Sequence, residues 1–216
     1  MRVLGVIPAR AASKRLPGKN MADLGGKFLI QWTIEAAREA CIEVVVSTDD
    51  LLVLELCKGL SIKAIHRRKE LCLDDTPSID VVRDVWGCGD WSGTQYDAVM
   101  LLQPTSPFRT ADDISASLDI LTKTGGQAVV SVTDAEVEYV FELGVANRLR
   151  PVKSMQGKYV PNGAIYTLTN DAMEAYDDWW TANPSYAYLM PKSRSLDIDT
   201  PSDLALARRM IEKVPA

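Results

Sequence analysis

A chain of 216 residues, 47% hydrophobic and 25% charged, carries enough apolar material for one full core and no sign of a disordered tail. Its net charge of −5 excludes general nucleic-acid binding, yet residues 1–22 hold five cations and no carboxylate, leaving 19 basic against 29 acidic side chains in the rest. Positive charge is therefore collected in one place, as a site for a small anion requires.

Taken in chain order, "RVLGVIP" is a short apolar run ended by proline, which predicts a buried strand. The basic stretch from Arg10 to Lys19 follows as a loop. Phe28, Leu29, Trp32, Ala36 and Ala40 recur at helical spacing. "CIEVVVSTDD" predicts a β-branched strand, "LLVLELCKGL" a mostly buried helix and "SIKAIH" another strand. Residues 76–87 read as a helix with Thr76 as N-cap and Pro77 as first helical residue. "DAVMLLQPTSPFR" is a strand running into a double-proline loop, residues 112–122 a helix, and "QAVVSVT" a strand. This alternation predicts an α/β fold with a mostly parallel sheet, helices on both faces, and ligands at the edge where the strand C-terminal ends meet. The pattern lapses over about 134–160, a small excursion within one domain of 1–216. "GAIYTL" restores a strand, "SLDID" reads as a short alternating one, and Thr200-Pro201 opens a last helix with Leu204, Ala207 and Ile211 on one face.

Four elements carry candidate chemistry. The basic loop sets Arg10, Lys14, Arg15 and Lys19 beside Ser13 and Asn20, where mutual repulsion calls for an anion or for solvent screening. It suits a polyphosphate, or is simply a solvated turn. It is neither a Walker loop, because Asn20 stands where Ser or Thr would ligate magnesium, nor a dinucleotide fingerprint. Asp197 and Asp199, two apart, would share one strand face; they form either a hard-oxygen site for a divalent cation or one wet face. Gln103 ends a buried strand at the ligand edge, or merely opens a polar turn. Asn162-Gly163 is a turn, or offers an amide to a polyhydroxylated ligand. Asp49 and Asp50 either line that edge or cap the next helix. Cysteines 41, 57, 72 and 88 lack metal or redox spacing and fit reduced thiols in a cytoplasm. No apolar run approaches the ~20 residues that span a bilayer, which argues against a membrane partner.

Together, "IPARAASKRLPGKN", "VVVSTDD", "LLQPTSPFRT", "PNGAIYT" and "LDIDTPSDL" resemble, in order, the motifs of the acylneuraminate cytidylyltransferases, also called CMP-sialic acid synthetases. Their relatives activate Kdo, pseudaminic acid and legionaminic acid. The resemblance covers nearly the whole chain apart from about residues 134–158. It implies a Rossmann-like nucleotidyltransferase fold, a homodimer, and attack of a sugar hydroxyl on the α-phosphate of CTP with Mg²⁺ assistance. It further implies that Arg10, Ser13, Lys19 and Asn20 hold the triphosphate, with Arg10 and Lys19 carrying the catalytic charge. By the same matching Arg67, rather than Arg68, reads the base with Thr76 and Ser78. Gln103, Asn162 and Tyr166 face the acidic sugar, and Asp197 and Asp199 hold magnesium.

Three departures from the family pattern stand out. Ala11-Ala12 replace two glycines, Arg68 replaces a proline, and the stretch 134–158 is short, with Arg148, Arg150, Lys153 and Lys158 as candidate sugar contacts. The implied activity is transfer of CMP to an acidic 2-keto-3-deoxy sugar, most simply a nine-carbon N-acylneuraminate type. Kdo or another acidic sugar is the alternative within the class. A nucleotide-binding regulator without turnover is the alternative outside it.

Overall fold

Strict alternation along the central strands decides the layering. Val3 and Ile7 turn to one side of the sheet while Leu4 and Val6 turn to the other, and Val44, Val45 and Val46 repeat the pattern. The structure is a computed structural model and describes residues 1–88, 96–135, 141–143, 149–151 and 159–212. In chain order the elements are β1 (Val3–Pro8), β2 (Asp23–Leu24), β3 (Lys27–Phe28), α1 (Leu29–Glu39), β4 (Glu43–Thr48), α2 (Leu51–Gly59), β5 (Lys63–His66), α3 (Ser78–Gly87), β6 (Ala98–Leu101) and α4 (Ala111–Thr124). They continue with β7 (Ala128–Asp134), β8 (Phe141–Leu143), β9 (Leu149–Pro151), β10 (Tyr159–Thr169), α5 (Asn170–Ala175), β11 (Ser185–Leu189) and α6 (Pro201–Glu212).

Seven strands form one sheet in the order β11-β7-β10-β6-β1-β4-β5. β4, β1, β6 and β5 pair in parallel, as do β7 and β11; β10 alone runs antiparallel, between β6 and β7. Buried residues of α1, α2 and α4 fill the core on one face, and those of α3 and α5 fill it on the other. The expected mostly parallel sheet with two helical layers is what the chain adopts.

A third apolar cluster lies outside the two layers. Leu24 and Leu29 pack with Ile198, Leu204 and Ala207, all nearly or fully buried. It docks α6, and the segment before it, onto the β2–β3 hairpin that follows the basic loop. Gly25 and Gly26, at φ 64° and 80°, make that hairpin's two-residue turn.

The structure corrects several local expectations. "SLDID" joins no strand: Ser195 N–H bonds to the Lys192 carbonyl at 3.0 Å, Ile198 N–H to the Thr105 carbonyl at 2.8 Å, and Asp199 N–H to Asp203 Oδ2 at 3.1 Å. Its alternation survives: Ile198 is fully buried while both aspartates stand away from the cluster. α3 begins one residue late, with Pro77 extended at φ −60°, ψ 137° as its N-cap, so Thr76 lies before the helix. The β2–β3 hairpin, α5 and β11 went unread. Within the 134–160 excursion, β8 and β9 pair as a small antiparallel hairpin. Arg148, Lys153 and Lys158 lie outside the described residues, as does the side chain of Arg150.

Candidate active site

The basic loop is pinned at both ends. Ala9 N–H bonds to the Ser47 carbonyl at 2.9 Å, continuing the β1–β4 pairing, and Ala11 N–H donates to Asp49 Oδ1 at 2.7 Å. At the far end Asn20, 3% exposed, donates its side-chain amide back to the Arg10 carbonyl at 3.0 Å. Ala11 and Ala12 avoid positive φ, since Cys41 and Ser61 are the non-glycine residues with positive φ among the described residues. Loss of the family's two glycines therefore imposes no backbone strain. The neighbouring aspartates divide their work: Asp49 anchors the loop, while Asp50 caps α2 through Leu52 N–H at 2.9 Å.

The loop's cations face carboxylates from two distant segments. Arg10 meets Asp74 at 2.6 Å, and Lys14 pairs with the same carboxyl. Hydrogen bonds from Lys14 and Arg10 hold the Asp74 pKa below the ordinary carboxylate value. Lys19 Nζ lies 2.9 Å from Asp199 Oδ1, and Arg15 lies 2.6 Å from Asp199 Oδ2. The basic loop and the D-x-D pair, about as far apart as the chain allows, therefore share one wall of one cleft. That cleft encloses about 340 Å³. Of the residues singled out from sequence it gathers Arg10, Arg15, Lys19, Asn20, Arg67, Thr76, Ser78, Gln103, Asp197 and Asp199. Ser13, Asn162 and Tyr166 do not line it.

At one end Arg67, 3% exposed, is fixed by its own strand neighbours. Its Nε donates to Ser47 Oγ at 3.1 Å and a terminal nitrogen to the Ser47 carbonyl at 2.6 Å. Burial lowers its pKa, with nearby Cys72 and Asp49 opposing. Leu71, Leu73 and Val81 add apolar walls next to Thr76 and Ser78, a slot suited to a flat base with polar edges. Arg68 turns away to pair with Asp84 at 2.5 Å, so the second family departure falls outside the slot.

Beside Asp199, Asp197 is exposed to the cleft but sits in a concave surface. The surrounding protein raises its pKa by desolvation; a hydrogen bond with Thr105 opposes this and the Asp199 charge adds to it. Among the described residues no group of three or more His, Cys, Asp or Glu is placed to hold a metal. Two adjacent carboxylates fit Mg²⁺ only where substrate oxygens and water complete the shell, which is how that ion is commonly held at phosphate sites.

Beyond Gln103 the cleft adjoins a recess of about 240 Å³ lined by Gln103, Ser78, Tyr166, Trp179 and Trp180. The Tyr166 ring lies 5.5 Å from Trp179 and 5.9 Å from Trp180. Burial raises the Tyr166 pKa, while an N–H from Gly163 opposes it. Sequence reasoning missed this recess, because Trp179-Trp180 has no motif and only the fold sets it against Tyr166. Asp74 was missed for the same reason. Arg109, 2% exposed, donates to the Ala164 carbonyl at 2.7 Å, the Gln103 carbonyl at 3.3 Å and Thr33 Oγ1 at 2.6 Å. It locks the end of β6 to β10.

Residues 4–213 match the model of a family described as cytidylyltransferase. The CMP-N,N'-diacetyllegionaminic acid synthase of Legionella pneumophila is 35% identical over 98% of this chain and 97% of its own length. The N-acylneuraminate cytidylyltransferase of Streptococcus agalactiae is 33% identical over 94% of this chain, which spans only 52% of that protein. The pseudaminic acid cytidylyltransferase of Campylobacter jejuni is 30% identical over 96% of this chain and 95% of its own. Among solved structures, CMP:2-keto-3-deoxy-manno-octonic acid synthetase complexed with CTP superposes with a TM-score of 0.74 at 21% identity, covering 99% of both chains, a likeness of fold. The chain belongs to the cytidylyltransferase family.

Proposed function

We propose that the protein transfers CMP from CTP to the anomeric hydroxyl of an acidic 2-keto-3-deoxy sugar, releasing pyrophosphate. One observation carries this reading: Lys19 and Asp199 touch at 2.9 Å in a single cleft that also holds a base-sized slot and adjoins an aromatic recess across Ser78 and Gln103. In the reaction the anomeric oxygen forms a bond to the α-phosphorus, the bond to the pyrophosphate oxygen breaks, and the hydroxyl proton is released. Charge builds on the phosphoryl and leaving oxygens, so fixed cations stabilise the transition state more than the ground state. Arg10 and Lys19 supply that charge. Ser13 and Asn20 shape the loop around the triphosphate. Arg67 reads the cytosine edge with Thr76 and Ser78. Gln103 and Tyr166 orient the sugar, and the recess takes its apolar substituent. Asp197 and Asp199 would hold Mg²⁺, which supplies neutralisation of the phosphate oxygens.

A nine-carbon N-acylneuraminate-type acid is the favoured substrate, because the relatives similar over nearly their whole length act, by name, on legionaminic and pseudaminic acids. We also propose a homodimer. Tyr159 and Val160 on β10 and Leu189 on edge strand β11 are exposed apolar side chains beside the excursion. A cytoplasmic location is supported by four free cysteines. Among the described residues no helix is long and apolar enough to cross a membrane.

The test is incubation with CTP, Mg²⁺ and a panel of acidic sugars, with pyrophosphate release as the readout. Turnover with one sugar names the substrate. CTP binding with no release on any sugar would establish a nucleotide-binding regulator instead.

A further inference from the structure

Asn162 is a residue that the family resemblance turns toward the sugar. Its side chain has no hydrogen-bonding capacity left to give. Oδ1 accepts from Ser131 Oγ at 2.6 Å and from Ala164 N–H at 3.2 Å. Nδ2 donates to Ser195 Oγ at 2.9 Å and to Met190 Sδ at 3.2 Å. A backbone N–H can only donate and a thioether can only accept, so the two ends of the amide are assigned by their partners. Two acceptor sites and two N–H groups are all used, in a residue 6% exposed.

We propose that Asn162 is a positioning residue, tying β10 to the arm that carries Asp197 and Asp199, and is not a sugar ligand. The arm, residues 191–199, belongs to no sheet; besides the Asp199 ion pairs and the burial of Ile198, three hydrogen-bonded tethers fix it. Arg194 grips the fully buried Asp113 through two hydrogen bonds of 2.9 and 2.7 Å. Ser195 takes the Asn162 amide, and Ile198 N–H bonds to the Thr105 carbonyl at 2.8 Å. The middle tether alone of these three reaches β10. The residue after it, Gly163, lies so close to the site that a β-carbon there would sit 2.8 Å from Gln103 Oε1 and 3.8 Å from Asp197 Cγ. Asn162 thus sets the spacing between the carboxylate pair and the part of β10 where its pairing with β7 shifts register, between Pro161 and Tyr166. Groups that orient metal ligands in this way commonly change affinity or activity about 10–100-fold when removed.

This inference rests on the transferase reading above, and its experiment separates the two. Asn162→Ala, Ser195→Ala and the double variant are compared with wild type in two assays. One measures kcat and KM for the accepted sugar. The other measures Mn²⁺ binding in the presence of CTP by electron paramagnetic resonance, with no sugar present. Each single variant is expected to lower kcat and weaken Mn²⁺ binding about tenfold or more. Sugar KM should stay within about twofold, and the double variant should be no worse than the worse single. A tenfold rise in sugar KM at unchanged kcat would make Asn162 a sugar ligand and overturn the proposal. Unmoved Mn²⁺ binding, or losses that multiply in the double variant, would also overturn it. Should Asn162→Ala not fold, Ser195→Ala, at the half-buried end of the same bond, carries both readouts. A wild-type protein that binds Mn²⁺ and CTP but turns over no acidic sugar ends the transferase reading, while the Mn²⁺ comparison still decides the tether.

Discussion

Gly163→Ala tests whether the β10 backbone, where its pairing with β7 shifts register between Pro161 and Tyr166, positions the proposed sugar-contacting Gln103. Gly163 has φ +79°, a region that costs a side-chain-bearing residue about 1–2 kcal/mol. The added methyl would lie 2.8 Å from Gln103 Oε1, well inside ordinary contact, and 3.4 Å from Ser106 Oγ, at its near limit. Gln103 is the flexible partner, so its amide swings out of place and the strain left is mainly that of the backbone. For a chain of this size, about 1–2 kcal/mol corresponds to a fall in Tm of roughly 2–8 °C. Thermal melts measure that part. Steady-state kinetics measure the rest: sugar KM should rise several-fold as Gln103 leaves its position. CTP affinity, which the proposed function assigns to Arg10, Lys19 and Arg67, should hold within about twofold. An unchanged Tm, or weakened CTP binding with an intact sugar KM, would refute the reasoning.

Further outcomes follow from the charges. Burial raises the Asp197 pKa above its unfolded value of about 3.9. Its ionised form therefore costs stability above the folded pKa, a cost that vanishes below the unfolded one. Asp197→Asn should raise Tm at pH 8, lose that gain below about pH 4, and cut pyrophosphate release about tenfold or more; a lower Tm at pH 8 would contradict it. Asp113 has the opposite sign. Burial works against its charge, but hydrogen bonds from Arg194, Tyr188 and Thr110 outweigh this and depress its pKa. The stability it contributes is present above about pH 4 and is lost as pH falls through the folded pKa. Asp113→Asn should cost about 3 kcal/mol at pH 7 by denaturant unfolding, with the gap to wild type narrowing in acid. Arg10→Ala removes a cation whose partner Asp74 is solvent-exposed, so Tm should barely move while turnover falls about a hundredfold. Equal turnover would take Arg10 out of the site.

The sequence determined by itself whatever depends on neighbours along the chain. The strand–helix alternation through β7 was legible because each central strand is a run of apolar, often β-branched residues, and its helices repeat at 3.6-residue spacing. The cation cluster from Arg10 to Lys19 was legible because charge density is a local count. β11, the β2–β3 hairpin and α5 were not, since they are short and take their stability from packing rather than from pattern. Only the tertiary structure decided that Asp199 meets Lys19. That meeting depends on Ile198 burying itself against Leu24 and Leu29, a contact whose partners lie at opposite ends of the chain and leave no trace in either segment. The same holds for Asn162, because which atoms fill an amide's hydrogen-bonding capacity depends on what the fold packs around it.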